Sequence, residues 1–239
     1  MQILRSNVSW AISVVLLAGL LTLPPERAAH SGGAAQYQVL GIDVSHHNGE
    51  VDWSKLSGTG VEFVILKATD GIDWLDPLFV YNFRKLAGQE SLIRGAYHYY
   101  QYADDPVEQA DWFISNVALV PGDFPPIVDI EKIPPEGHET FHADLYAFLG
   151  RLEEHYQAEP IVYSGRKIWN AQLAETLGDY PLWIAEYGVV RPDIPVREHP
   201  WVLWQFTDEY QVPGSEKNVD ASYFNGDING FRGLLLKEE

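Results

Sequence analysis

The residues with the most chemical potential in this chain are acids at the ends of apolar runs. Asp129 and Glu131 close the run Pro126-Ile127-Val128-Asp129-Ile130-Glu131. Asp43 lies late in Gln38-Val39-Leu40-Gly41-Ile42-Asp43-Val44-Ser45, and Asp220 lies in the run from Asn218 to Phe224. Side chains alternate along a strand, so Asp129 and Glu131 face one side, with Cβ atoms roughly 6 to 7 Å apart. Repulsion between them raises the pKa of one member. A carboxyl group that keeps its proton beside an ionised carboxylate is the equipment for breaking a glycosidic bond. The same spacing also suits strand-end carboxylates that cap loop amides, or a metal site, and the pair by itself leaves these alternatives open. Desolvating a charge is costly, so three or four converging acids require a purpose.

Histidines offer a competing chemistry. His46 and His47 are adjacent, and neighbouring residues point apart, so they lack the same-face spacing of metal-dependent barrel hydrolases. One of that pair is still open to a ligand contact; His98, inside Ala96-Tyr97-His98-Tyr99-Tyr100, reads as a satisfied barrel histidine with a ligand contact as the alternative, and His138, His142 and His155 read as surface residues. The chain has no Cys, which removes thiolate nucleophiles, disulfides and sulfur-ligated metals. Tyr97, Tyr99, Tyr163, Trp183, Tyr187 and Trp204 fall near strand ends. Each combines an apolar face with a polar handle, as sugar stacking requires, although core packing explains any one of them equally well.

The elements that must position these groups follow from the alternation of short apolar runs with longer amphipathic segments, the signature of βα units. Strands are expected at 38–45, 61–69, 92–100, 126–131 and 160–164. Helical segments are expected near 53–56, over 77–87 behind Asp76-Pro77, after Asp105-Pro106, around Phe141 to Leu152, and around 167–177. Three further strands, at 181–187, 201–207 and 218–224, follow without helical periods between them. Eight strands with five helices predict an α/β fold, a modified TIM-like barrel. In such barrels reactive groups lie at the carboxyl ends of the strands.

Composition narrows the class. The 239 residues carry 16 Lys+Arg against 34 Asp+Glu, a formal net charge of −18. Such a surface repels phosphate backbones, so nucleic acid is not an expected partner. With 46% hydrophobic and 13% aromatic residues, the chain can build a substantial core. Arg5, the apolar run from Val8 to Leu23, Pro24-Pro25 and the small residues ending at Ala34-Ala35 have the layout of a secretory signal peptide over 1–35, with an uncleaved anchor as the alternative. The expectation is an exported protein, periplasmic or extracellular, with one domain over 36–239 and no stable membrane insertion after cleavage.

Seven motifs in order, Gly41-Ile42-Asp43-Val44-Ser45-His46-His47-Asn48-Gly49 with Asp52-Trp53, Lys67-Ala68-Thr69-Asp70-Gly71, Gly95-Ala96-Tyr97-His98-Tyr99, Asp129-Ile130-Glu131, Trp183-Ile184-Ala185-Glu186-Tyr187, Trp204-Gln205-Phe206-Thr207 and Val219-Asp220, resemble the glycoside hydrolase family 25 lysozymes across residues 38 to 231. The resemblance implies a (β/α)5(β)3 barrel, five βα units followed by three strands lacking helices. It further implies a monomeric N-acetylmuramidase that cleaves the β-1,4 bond between N-acetylmuramic acid and N-acetylglucosamine in peptidoglycan, without metal or cofactor. Carried over, Glu131 is the general acid, Asp129 its partner, and Asp43 and Asp220 the remaining acids. Tyr97, Tyr99, Tyr163, Trp183, Tyr187 and Gln205 become candidate substrate contacts. The chain departs from the family pattern at Asn48, Asp70 and Ser222, where Gln, Glu and Asn are usual, and none of these removes a carboxylate of the set. A non-catalytic glycan-binding protein on the same barrel is the alternative from another class.

Overall fold

The structure is a computed structural model that describes residues 39–135, 140–194 and 201–238. The segment read as a signal peptide lies outside the described residues, as does His138. Among the described residues, no helix is long and apolar enough to cross a membrane.

The chain forms a nine-stranded sheet in the order β1-β9-β8-β7-β6-β5-β4-β2-β3, closed by a β1–β2 pairing. The strands are β1 (Leu40–Val44), β2 (Val61–Asp70), β3 (Trp74–Leu75), β4 (Ile93–Tyr99), β5 (Ile127–Asp129), β6 (Ile161–Gly165), β7 (Leu182–Ala185), β8 (Leu203–Tyr210) and β9 (Val219–Phe224). All eight expected strands are present. The extra strand, β3, is a two-residue hairpin arm antiparallel to the end of β2. The neighbours β1–β2, β2–β4, β4–β5, β5–β6, β6–β7 and β7–β8 run parallel. β9 is antiparallel to both β8 and β1, and it closes the barrel through Asp43 opposite Asp220. An antiparallel partner can be reached by a hairpin, whereas a parallel one needs a crossover. The β8–β9 connection accordingly carries no helix.

Four α-helical segments follow individual strands of the first five units: α1 (Phe79–Leu86), α2 (Pro106–Asn116), α3 (Phe141–Tyr156) and α4 (Arg166–Ile168), the last running on into a π-helical turn, Trp169–Leu173. The first unit has only 3₁₀ turns, His46–Asn48 and Trp53–Leu56. At α2 the sequence signal is realised directly, since Asp105 accepts hydrogen bonds from the amides of Val107 and Glu108, with Pro106 at the first helical position. The expected apolar face of α3 is buried as Phe141, Leu145, Phe148, Leu149 and Leu152. Asp76 does not cap α1 directly, because the helix begins two residues beyond Pro77. Its carboxylate instead holds the Leu78 amide through Oδ1 and both His46 N and His46 Nδ1 through Oδ2. A fifth helix, α5 (Ile228–Leu234), follows β9, with Asp227 accepting from the Gly230 amide. The strand-and-loop reading of the last third does not include it.

Strand alternation sorts the apolar side chains into two layers. Ile42, Val44, Val64, Leu66, Ala96, Val128, Val162 and Ile184 point outward into the layer shared with the helices. Phe63, Ile65, Phe124, Ile127, Ile161, Trp183, Leu203 and Phe224 fill the barrel, joined by Phe231 from α5. Phe231 lies 5.4 to 5.5 Å, ring centre to ring centre, from Phe63, Phe124 and Phe224, so the helix plugs the barrel with one aromatic side chain. Gly41 makes room for this packing: a Cβ there would fall 2.1 Å from the Phe63 ring. With one end filled by hydrocarbon, the interior positions left for polar groups are those at the other end.

Candidate active site

At the carboxyl ends of the parallel strands, Asp43, Tyr97, Asp129, Glu131, Tyr163, Trp183, Gln205 and Asp220 line one cavity. Asp43, Tyr97, Tyr163 and Gln205 project from β1, β4, β6 and β8, while Asp129 ends β5 and Glu131 follows it. Asp220 is the second residue of its strand, and it reaches the same end because β9 is antiparallel. The four predicted acids are therefore brought together from three separate parts of the chain.

Gln205 organises one half of the site. Its side-chain carbonyl accepts hydrogen bonds from the hydroxyls of Tyr163 (2.8 Å) and Tyr187 (2.6 Å). Its amide nitrogen donates to Asp43 (3.0 and 3.2 Å) and to Asp220 (3.3 Å). Burial, and then the neighbouring Asp220 charge, hold the Asp43 carboxyl well above the ordinary range. Asp220 is pushed up to about 6, chiefly by burial, while its hydrogen bond with Asp43 pulls the other way. Both carboxyls are thus held toward the neutral form, and they titrate as a coupled pair rather than as independent groups.

Asp129 organises the other half. It is 6% exposed, and its Oδ1 is buried with no hydrogen-bond partner among the described residues. Burial, followed by the Glu131 charge, raises its pKa well above the usual carboxylate value. The expected repulsion in the pair thus falls on the enclosed member, whereas Glu131 is exposed to solvent. Tyr99 is the partner of Asp129 across the β4–β5 pairing, and burial, followed by the Glu131 charge, pushes its hydroxyl pKa up. Lys67, from β2, places its ammonium 4.4 Å from the centre of the Tyr99 ring and 2.8 Å from Asp70 Oδ2.

The aromatic candidates separate by environment. Trp183 is buried, packs edge-on against Tyr163 at 4.7 Å, and donates its Nε1–H to Ser222 Oγ at 3.0 Å. It forms the cavity floor, and the departure at Ser222 supplies its hydrogen-bond acceptor. Tyr187 is 44% exposed and stands at the mouth. Trp204 points outward, with Nε1 donating to the Glu186 carbonyl. His98 is buried outside the barrel between Thr69 and Gln109, with Nε2 donating to Gln109 Oε1 at 3.2 Å, and burial lowers its pKa to about 4. It is a neutral histidine held by its packing and these two hydrogen bonds. His142 Nε2 bonds the Gln172 carbonyl. Among the described residues no three His, Asp or Glu side chains are arranged to hold a metal ion.

Lys67 enters the sequence motifs only as the start of Lys67-Ala68-Thr69-Asp70-Gly71, with no chemical role attached to it. Its signal was legible: a cation at the inward phase of the strand that runs Phe63, Ile65, Lys67 is as unexpected as a buried acid.

A closed, mostly parallel barrel with four carboxylates and a set of hydroxyls at the end where its parallel strands finish is the architecture of a barrel glycosidase. The family profile "Glycosyl hydrolases family 25" matches residues 42–215. Lysozyme M1 of Streptomyces globisporus is 31% identical over 221 residues, covering 87% of this chain and 74% of its own. The N,O-diacetylmuramidase of a Chalaropsis species is 27% identical, covering 78% of this chain and 96% of its own. Among solved structures, the bacterial lysozyme from Streptomyces coelicolor matches with a TM-score of 0.75 and 29% identity, covering 85% of this chain and 97% of that one. The family 25 glycosyl hydrolase from Bacillus anthracis matches with the same TM-score at 27% identity, covering 82% and 93%. The chain belongs to glycosyl hydrolase family 25, and it is a glycoside hydrolase of the lysozyme type.

Proposed function

We propose that the protein is an exported N-acetylmuramidase that cleaves the β-1,4 bond between N-acetylmuramic acid and N-acetylglucosamine in peptidoglycan, with net retention through the substrate's own acetamido group. Family membership and the names of its lysozyme and diacetylmuramidase relatives support the peptidoglycan substrate. The layout of residues 1–35 supports export, and the mature protein would start at Gln36 as a monomer.

The observation that carries the mechanism is the orphaned Oδ1 of Asp129. A buried carboxylate oxygen without a partner is expensive unless a ligand completes it. The 2-acetamido N–H of a bound sugar is a donor of the required kind. In this reading Glu131 gives its proton to the departing glycosidic oxygen while the acetamido carbonyl oxygen attacks the anomeric carbon. Asp129, ionised, orients the N–H and balances the positive charge of the resulting oxazolinium ion. Water then attacks the anomeric carbon and loses its proton to Glu131, which restores the acid. In the free protein, burial favours a proton on Asp129. Bound sugar reverses the preference, because the N–H supplies Asp129 with a partner and the ring covers Glu131 from water.

Asp43 and Asp220, tied through Gln205, hold the far wall of the cavity. They are also the competing candidates for nucleophile, or for the base of an inverting reaction. NMR of the first-formed product separates these paths: the β-anomer is expected, and initial release of the α-anomer overturns the acetamido route. Mass spectrometry of digested peptidoglycan should show muramic acid at new reducing ends. Reducing-end glucosamine would refute the bond assignment, and intact glycan retained on the protein would favour the non-catalytic binder. Sequencing the amino terminus of secreted protein tests export, with Gln36 expected.

A further inference from the structure

The acids and hydroxyls of the cavity leave one neighbour unused by the mechanism. Lys67 stands on the inward face of β2, and its side chain is only 12% exposed. Its ammonium donates to Asp70 Oδ2 at 2.8 Å, and Asp70 Oδ1 in turn accepts from Gln101 Nε2 at 2.7 Å. The same ammonium lies over two aromatic faces, Tyr99 at 4.4 Å and Trp74 at 5.1 Å. Trp74 belongs to β3, which pairs back onto Asp70, and its carbonyl is held by Trp112 Nε1 at 3.0 Å. A long, flexible side chain is thus fixed on every side, at a cost in rotamer freedom that a merely solvated lysine avoids.

We propose that Lys67 is a positioning residue of the reaction: clamped by Asp70 and seated on Tyr99, the partner of Asp129 across β4–β5, its ammonium is the counter-charge of Asp129. The proposal rests on the reading of Asp129 as a carboxylate that must be ionised. Asp129 is faced by Glu131 beyond its own strand, by Lys67 and Asp70 from β2, by Asp43 from β1, by Tyr97 and Tyr99 from β4 and by Tyr163 from β6, with Asp220 of β9 in the same cavity. Of the charged groups acting on Asp129, Glu131, Asp43 and Asp70 favour its neutral form, and Lys67 opposes them. The second ammonium near Tyr99, that of Lys132, is 5.2 Å from the ring on an exposed side chain, where water screens it. The departure at Asp70 also gains a role, since a carboxylate this short reaches both Lys67 and Gln101.

The test uses the full chain with Lys67→Met, Lys67→Arg and Asp70→Asn. It reads the pH dependence of kcat/KM on soluble peptidoglycan fragments and the ¹³C titration of the Asp129 carboxyl, assigned with Asp129→Asn. Lys67→Met should move both the low-pH limb and the Asp129 titration upward by about one pH unit. That shift is about a tenfold loss of activity below the limb, with KM changed by less than about twofold. Lys67→Arg should restore the limb. Asp70→Asn removes a negative charge and should move the titration downward, a sign opposite to that of Lys67→Met. Loss of packing alone does not produce opposite signs. An Asp129 titration unmoved in Lys67→Met overturns the proposal, whatever happens to turnover. A titration that moves while the activity limb stays supports the counter-charge and overturns the ionised-Asp129 mechanism, so the two failures are distinct. Should Lys67→Met not fold, Lys67→Gln decides by the same titration: an upward move supports the proposal, and none overturns it.

Discussion

At the residue scale, this site separates two carboxylates that the sequence places as equals. Asp129 is enclosed and unpartnered, while Glu131 faces solvent within reach of Tyr99. Glu131→Gln keeps the shape and removes the transferable proton, so turnover should fall by about 10² to 10⁴-fold. Wild-type turnover by that variant on purified peptidoglycan would reject Glu131 as the acid. The raised pKa of Asp129 carries a stability consequence whose sign is definite. A carboxyl whose pKa is higher folded than unfolded stabilises the fold fully below the unfolded value and loses that contribution as pH rises through the folded value. At pH 7, above the unfolded value, the raised pKa of Asp129 therefore weakens the fold. Asp129→Asn should abolish turnover and yet raise Tm at pH 7 by about 2–4 °C, the equivalent of about 1 kcal/mol for a domain of this size. The gain should vanish near pH 4, and thermal melts at the two pH values check it. Equal melting differences at both would mean that the charge is not the cause.

At the scale of elements, the barrel has a filled end and a reactive end, and different strands and helices maintain each. α5 supplies Phe231 to the cluster of Phe63, Phe124 and Phe224, remote from the acids. Phe231→Ala removes a fully buried ring and should cost about 3–5 kcal/mol, seen as a lower urea midpoint. The molecules that remain folded should hold wild-type kcat. A large fall in kcat at unchanged stability would contradict this division of labour. Such a helix is hard to read from sequence because Ile228-Asn229-Gly230-Phe231-Arg232-Gly233-Leu234 contains two glycines and a single buried residue. Its helicity comes from the Asp227 cap and the aromatic pocket. The longer elements were legible for the opposite reason. The buried stripe of α3 and the Asp105-Pro106 start of α2 are local signals that survive without any partner.

At the scale of the whole molecule, a net charge of −18 sets how the protein can meet a cell wall. Removal of residues 1–35 would take away Arg5, Arg27 and Glu26, so the charge would become −19 (14 − 33). Attraction between opposite charges has little to contribute, and binding must rest on stacking and hydrogen bonds to the glycan at sites such as Tyr187. Wall binding should accordingly weaken little between low and physiological salt. A steep fall in sedimentation assays across that range would show that a local basic patch outweighs the net charge.

The sequence by itself determined the eight barrel strands, the apolar faces of the longer helices and the identity of the acids, because period-two alternation, helical spacing and an ionisable residue in an apolar run are local properties. Asp129-x-Glu131 announces a same-face pair from spacing alone. The tertiary structure decided what those residues meet. That Asp220 joins Asp43 depends on β9 running antiparallel. That Gln205 ties Tyr163, Tyr187, Asp43 and Asp220 into one network depends on four strands and a loop converging. That Asp129 rather than Glu131 is enclosed, and that Lys67 is its opposing charge, depends on which side chains the closed barrel removes from water. Burial and pairing are properties of closure, and closure joins residues whose separation along the chain no local pattern spans.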